Sequence, residues 1–266
     1  MKKITLLLAC AIMLVALCLT LFGCANHGGE TTKIQRGDSL IIAHRGLSGL
    51  EIENTDQAFI AACKHSYYGI ESDVRRTADG KFVMCHDADL KRIAGVEIDV
   101  ESSTFSELQA ISLFDKTGKQ NSDIHISTLE NYISICKEYN KQAILELKSD
   151  FTEEEIGNII EIINSYDYLE RVTFISFDYD NLLYVRHYSP NQPAMYLFSK
   201  MSDDIVEKLT RDNIDVAIKH TKLTKNDLDM LHEAGLSVNC WTVDSRVIAE
   251  KYAKWGVDYI TTNILE

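Results

Sequence analysis

Two histidines, three carboxylates and two cationic side chains sit in or just past short apolar runs of this 266-residue chain. His44 and Arg45 follow "IIA" (41–43), Glu71 and Asp73 lie in "GIESDV" (69–74), and His86 follows "KFVMC" (81–85). Glu146 and Lys148 end "QAILELK", and Trp241 closes "LSVNCW". Glu71 and Asp73 are two apart, so on a strand they share one face. Glu146 lies between Leu145 and Leu147 and faces opposite to both. Three carboxylates converging in an apolar surround repel strongly unless a cation neutralises them. An all-oxygen ligand set suits Mg²⁺ or Ca²⁺ rather than zinc. Such a cation, with Arg and Lys beside it, offsets charge on phosphate oxygens. One histidine can then deprotonate the attacking oxygen while the other protonates the leaving alkoxide. That chemistry is phosphodiester cleavage. The plainer alternative is that Arg75, Arg76 or Lys148 simply pairs these carboxylates locally.

The elements that would position these residues alternate regularly. Apolar strand-length runs are "SLIIA" (39–43), "GIESDV" (69–74), "QAILEL" (142–147), "VTFIS" (172–176), "AMYLF" (194–198), "IDVAI" (214–218), "LSVNCW" (236–241) and "VDYIT" (257–261). Stretches with helical spacing lie between most of them, among them "TDQAFIAACKHS", "STLENYISICKEY", "TEEEIGNIIEIINSY", "TKNDLDMLHEAG" and "DSRVIAEKYAKWG". The last two end in Gly, a common helix stop. Eight strands alternating with helices predict an α/β chain folded as a (β/α)8 TIM barrel, with polar strand ends gathered at one mouth. No G-x-G-x-x-G follows the first strand, so dinucleotide binding has no support. One segment, roughly 76–126, breaks the rhythm and reads as a small insertion after the second strand. It begins with the turn Ala78-Asp79-Gly80 into a short extra strand that carries His86. Excursions of this length are commonly functional.

The N-terminus has another purpose. Lys2 and Lys3 precede a charge-free apolar run (4–22), and Leu21-Phe22-Gly23-Cys24 leads into a polar stretch. That order predicts an export signal over residues 1–23. Its end resembles a bacterial lipobox, with Cys24 lipidated as the mature N-terminus, although Phe22 replaces the usual small residue. The apolar run is also long enough to remain as an uncleaved anchor. Either way the expected location is the cell membrane, with the globular part lipid-anchored or tethered outside the cytoplasm. Residues 24–37 are expected to be a flexible tether, and 38–266 a single barrel domain. Removing residues 1–23 takes away two lysines and no acids, so a net charge of −13 becomes −15. Such a body repels nucleic acid and anionic lipid, so membrane attachment has to come from the N-terminus. Beyond the signal and Cys24, the four cysteines 63, 85, 136 and 240 are scattered among apolar residues and read as buried free thiols.

The linked motifs "AHRG…ENT", "GIESDVRRTADGKFVMCHDADLKR", "STLENYI", "ILELK", "ISF", "CWTVD" and "GVDYITTN" resemble those of glycerophosphodiester phosphodiesterases, in order, over nearly all of the chain after residue 38. The resemblance implies a TIM barrel with a small insertion that hydrolyses glycerophosphodiesters to sn-glycerol 3-phosphate and an alcohol. By position it implies Glu71, Asp73 and Glu146 as ligands of one divalent cation, Mg²⁺ or Ca²⁺. It makes His44 and His86 the catalytic pair, assigned here as acid and base respectively. Arg45 and Lys148 would contact phosphate, and Trp241 would pack on the glycerol moiety. Two departures bear on substrate fit rather than on the ligands: Ile52 stands where Pro is usual, and Thr262-Asn263 where Thr-Asp is usual. Glu53 either touches the site or orients its loop, while Asn54 or Thr55 caps the following helix. Among the other histidines, His220, after the sixth strand, is the one placed to reach substrate. The expected partner is a small-molecule substrate, with no nucleic acid and no obligate protein partner. The competing readings are a phospholipase of the phosphatidylinositol-specific or sphingomyelinase D type on the same fold, and a non-catalytic surface binding lipoprotein.

Overall fold

A computed structural model describes residues 29–202 and 204–266. The export signal and Cys24 lie outside the described residues. Among these residues no helix is long and apolar enough to cross a membrane. In chain order the elements are β1 (Leu40–Ala43), α1 (Asp56–Cys63), β2 (Gly69–Arg76), β3 (Phe82–Met84), α2 (Lys91–Ala94), α3 (Phe105–Gln109), β4 (Ser127–Thr128), α4 (Leu129–Glu138) and β5 (Gln142–Leu147). They continue with α5 (Glu153–Ser165), β6 (Val172–Ser176), α6 (Tyr179–Tyr188), β7 (Ala194–Phe198), α7 (Ile205–Asp212), β8 (Asp215–Lys219), α8 (Lys225–Glu233), β9 (Val238–Trp241), α9 (Arg246–Trp255) and β10 (Tyr259–Thr262).

Eight of these strands (β1, β2, β5, β6, β7, β8, β9 and β10) pair in parallel, and β1 bonds both β2 and β10, so the sheet closes into a (β/α)8 barrel. Strands covered on both faces need apolar side chains on both. Accordingly β5 and β6 are buried along their whole length. Inside the barrel Ile42, Ile144, Ile175, Met195, Leu197 and Ala217 fill the lumen, which is a packed layer rather than a pore. Outside, each helix contributes one apolar stripe; α5 buries Ile156, Ile159, Ile160 and Ile163 against the sheet. Thr55, Thr128, Thr152 and Thr224 cap α1, α4, α5 and α8 by accepting from a backbone N–H of the first turn. Each such cap stabilises by about 1 kcal/mol.

The segment between β2 and α4 is a second structural layer. β3 pairs antiparallel with β2, and β4 with β3. Val83, Cys85, Leu90, Ala94, Val100, Leu108, Leu113 and Ile126 form a core of their own, separate from that of the barrel.

One expectation about the N-terminus changes. Part of the stretch read as flexible tether is held on the barrel: Thr32 N–H donates to the Ile264 carbonyl at 3.0 Å, and Ile34 N–H to that of Glu266 at 2.9 Å. The Glu266 carboxylate accepts from Thr31 Oγ1 (2.6 Å), Ser66 N–H (2.8 Å) and His65 Nδ1 (2.8 Å), and Lys33 Nζ lies 2.7 Å away. This clamp joins both ends of the described chain. It was invisible as a pattern because its members are far apart in sequence.

Candidate active site

The register of β2 against β5 sets Asp73 directly beside Glu146, with Glu71 two residues earlier on the same face. All three are buried, and one carboxylate oxygen from each lies within 4.8 Å of the others. Glu71 Oε1 and Asp73 Oδ1 are buried without a hydrogen-bond partner. Burial, with Asp73 and Glu146 adding repulsion, pushes the Glu71 carboxyl well above its ordinary range. Burial and Asp73 push Glu146 up to about 7, against the pull of Lys148. Burial also raises Asp73, but Arg45 and Lys148 outweigh it and hold that carboxyl low. Two orphaned oxygens and two carboxyls driven toward protonation form a cluster short of positive charge, which a divalent cation would supply. Local pairing is real but incomplete: Lys148 Nζ reaches Glu146 at 2.9 Å and Asp73 at 3.8 Å, while Arg75 and Arg76 turn away to Glu101.

The loop after β1 is tightly folded to bring Arg45 here. Arg45 takes a positive φ of 54°, its N–H donates to Glu71 Oε2 at 2.8 Å, and its Nε lies 3.4 Å from Asp73. Gly46 also has positive φ (76°), and a Cβ there would lie 2.6 Å from the Ala58 carbonyl carbon, so only glycine fits. Glu53 takes the orienting role: it binds Arg45 Nη1 (2.8 Å) and both Nη atoms of Arg92 (2.6 and 2.8 Å). Thr55 is the helix cap, and Asn54 does something the sequence did not reveal. Its Nδ2 donates to Asp73 Oδ2 at 2.8 Å and its Oδ1 accepts from Ser72 Oγ at 2.7 Å.

The histidines approach from two sides. His44 Nδ1 meets Asn263 Oδ1 at 2.7 Å, and its Nε2 lies 3.8 Å from Glu71. Asn263 in turn gives its Nδ2 to Asp244 Oδ2 at 2.6 Å, which turns its carbonyl toward His44. Because that carbonyl can only accept, His44 carries its neutral-state proton on Nδ1. Burial, reinforced by Arg45, brings His44 down to about 4. His86 Nδ1 meets the Asp87 carboxylate at 2.6 Å, and Asp87 is held by Arg92 at 2.7 Å. Burial lowers His86, while the Asp73 charge pulls the other way. Asn263, Asp244, Asp87 and Arg92 escaped sequence reasoning, although Asp87 is adjacent to His86 and Asn263 was singled out only as a departure.

His44, Arg45, Glu71, His86, Glu146, Lys148 and Trp241 line one cavity of ≈ 90 Å³. Asp73 lies beneath it as the shared neighbour of Arg45 and Lys148. Phe177, missed from sequence, is half exposed at the rim and packs edge-on to Trp241 at 5.6 Å. Trp241 Nε1 is buried and has no partner. His220 does not reach the cavity; its ring packs on Tyr252 at 6.1 Å. The four cysteines are buried free thiols.

The comparisons with known proteins agree with this arrangement. YhdW of Bacillus subtilis (strain 168) is 30% identical over 233 residues, covering 84% of this chain and 93% of that protein. A glycerophosphodiester phosphodiesterase of Caldanaerobacter subterraneus is 28% identical over 231 residues, covering 85% and 94%. The crystal structure of an Oleispira antarctica phosphodiesterase in complex with its product sn-glycerol-3-phosphate superposes with a TM-score of 0.79 at 25% identity, covering 84% of this chain and 92% of that one. The model of the glycerophosphoryl diester phosphodiesterase family matches residues 44–266, from His44 to the Glu266 clamp. This chain is therefore an enzyme of the glycerophosphoryl diester phosphodiesterase family.

Proposed function

We propose that the chain hydrolyses glycerophosphodiesters to sn-glycerol 3-phosphate and an alcohol in a cation-dependent reaction, with His44 and His86 as its acid–base pair. The observation that carries this reading is the single cavity in which two histidines, Arg45 and Lys148 surround three buried, under-neutralised carboxylates. Glu71, Asp73 and Glu146 would hold a Mg²⁺ or Ca²⁺ ion, which when bound supplies positive charge to a phosphate oxygen. Arg45 and Lys148 offset the remaining charge. His86, whose Nδ1–H is given to the Asp87 carboxylate, keeps Nε2 free to take the proton of the attacking oxygen. His44 is backed by a neutral amide instead, so it is the weaker base and the better donor to the leaving alkoxide. An anionic phosphodiester beside it favours its charged form. The half-exposed Phe177 and Trp241 supply an apolar wall for the glycerol carbons, with Trp241 Nε1 free to donate to a hydroxyl.

The Oleispira antarctica structure, with its sn-glycerol-3-phosphate product, supports this substrate class. The test is release of glycerol 3-phosphate by the purified protein with Mg²⁺ or Ca²⁺. Release from glycerophosphocholine or glycerophosphoglycerol, and not from intact phosphatidylcholine, is expected. Activity confined to the intact lipid would replace this reading by a phospholipase. The Leu21–Cys24 sequence further supports attachment outside the cytoplasmic membrane through a lipid on Cys24, and the mass of the mature N-terminal peptide tests that.

A further inference from the structure

His44 and Arg45 belong to two cavities. One is the ≈ 90 Å³ chamber just described, and the other is an open cleft of ≈ 610 Å³ on their far side. At about 15 Å³ per water-sized group the chamber holds roughly six such groups, too few to take a second alcohol beside the glycerol and phosphate. The cleft is far larger than the glycerol moiety requires. Its walls are Ser48, Glu53, Lys116, Asp244, Asn263 and Ile264, in addition to the two shared residues and Gly49.

We propose that this cleft is the subsite for the departing alcohol, and that it takes a neutral, hydroxyl-rich alcohol. The inference rests on the glycerophosphodiesterase reading above. The two side chains shared by chamber and cleft are Arg45, placed to contact the phosphate, and His44, the group assigned to protonate the leaving oxygen, so the alcohol departs into the cleft rather than into the chamber.

The lining decides the chemistry. Ile264 is the one apolar side chain in these walls, so an acyl chain finds no apolar surface to bury. No Phe, Tyr or Trp ring lines the cleft to receive a quaternary ammonium. Its two carboxylates are also committed. Glu53 lies between Arg45 and Arg92, and Asp244 accepts from Thr262 Oγ1 (2.9 Å), Asn263 N–H (2.7 Å) and Asn263 Nδ2 (2.6 Å). The cleft thus carries two cations, Arg45 and Lys116, beside two carboxylates whose oxygens are already hydrogen-bonded, which leaves a cationic headgroup no net attraction.

Hydroxyl groups find partners here. Lys116 Nζ gives one hydrogen to the Ser48 carbonyl at 2.7 Å and keeps two further donors. Ser48 Oγ donates to Asn263 at 2.8 Å and keeps its lone pairs. Lys116 is presented by an ordered turn, in which Asp115 accepts from Thr117 N–H (2.8 Å), Thr117 Oγ1 (2.6 Å) and Lys119 N–H (3.1 Å). Ser48, Glu53 and Lys116 also wall off a neighbouring ≈ 340 Å³ hollow that contains Ile52, Ile93 and Phe114. Lys116 thus places a charge between the catalytic cleft and the nearest apolar surface.

The test compares kcat/KM for release of glycerol 3-phosphate from glycerophosphoglycerol, glycerophosphoinositol and glycerophosphocholine, using the wild type, Lys116→Met and Lys116→Ala with saturating Mg²⁺ or Ca²⁺. The wild type is expected to prefer the two polyol esters over the choline ester about tenfold, as loss of one charge-assisted hydrogen bond implies. Lys116→Met, which keeps the aliphatic length, is expected to erase that preference through KM, and Lys116→Ala to do the same. Equal kcat/KM on all three esters in the wild type would overturn the subsite while leaving the glycerophosphodiesterase reading intact. So would a fall in both variants that is the same for every ester. No release from any ester by the wild type would overturn both.

Discussion

The three buried carboxylates predict a pH-dependent link between cation binding and stability. In the absence of a cation, Glu146 is pushed up to about 7 and Glu71 is raised as well, both chiefly by burial. A carboxyl whose folded-state pKa exceeds its unfolded value leaves the fold unpenalised at low pH. It destabilises the fold progressively as pH rises from the unfolded value toward the folded one. For Glu146 the rise from 4.5 to about 7 corresponds to roughly 3 kcal/mol at pH 8. Bound Mg²⁺ or Ca²⁺ removes that penalty, because the ion favours the ionised form. For a domain of this size, 3 kcal/mol corresponds to about 6–12 °C in Tm. Calorimetry with chelator and with millimolar Ca²⁺ or Mg²⁺ should therefore show a cation-induced rise in Tm near 10 °C at pH 8, shrinking to a few degrees at pH 5. Glu146→Gln should remove most of the pH 8 increment. A rise of equal size at both pH values, or one unchanged in Glu71→Gln and Glu146→Gln, would refute the assignment of the cation to this cluster.

Four further outcomes follow from the geometry. His44→Ala and His86→Ala should each lower kcat about 10²–10⁴-fold while keeping the cation-induced Tm rise, since neither is a proposed ligand; retention of activity in either would remove it from the acid–base pair. Asn263→Ala leaves His44 Nδ1 without its acceptor and should cost about tenfold in kcat, the equivalent of one hydrogen bond. In the wild type, ¹⁵N NMR of neutral His44 should show Nδ1 protonated, and the Nε2–H tautomer would contradict the orientation assigned to Asn263. Glu266 has its carboxyl held low by Lys33, Thr31 and Ser66 against the opposing effect of burial, so its contribution is complete above the ordinary carboxylate range and lost as pH falls through it. Glu266→Gln should cost about 2 kcal/mol at pH 7 and progressively less as pH falls below the ordinary carboxylate range, read as urea midpoints that draw together.

Much of the barrel was legible because fully buried parallel strands must be apolar along their length. "QAILEL", "VTFIS" and "AMYLF" coincide with β5, β6 and β7. Elsewhere the ends drift by one or two residues, as at β8 and β9, where Ile214, Leu236 and Ser237 are strand-like in type but precede the first ladder bonds. The carboxylate cluster was legible for a similar reason: Glu71 and Asp73 on one strand face, and Glu146 flanked by leucines, are charges where only apolar residues belong. What stayed hidden were residues whose meaning depends on contacts across the chain. Asn54 reads as a helix cap until Asp73 is folded beside it, and Asn263 reads as a departure until His44 is found 2.7 Å away. Lys116 reads as one more solvated lysine on a polar loop. Nothing in its neighbours signals that the loop folds back onto Ser48.

The separate core under the β2–α4 excursion sets the two histidines of the cavity on different hydrophobic clusters. His44 is mounted on the barrel, whereas His86 follows β3 directly and rests on the small core of Val83, Cys85 and Leu90. That core is joined to the barrel by the β2–β3 ladder, by Phe82 and Met84, which pack in the barrel's own core, and by Arg75 to the His86 carbonyl, Cys85 N–H to the Asp73 carbonyl and Arg92 to Glu53. Local opening of such a unit costs less free energy than global unfolding. Such an opening would withdraw His86 while His44, the three carboxylates and the barrel stay in place. Hydrogen exchange in residues 82–126 then reports on catalytic competence, and protection of β5 and β6 reports on survival of the fold.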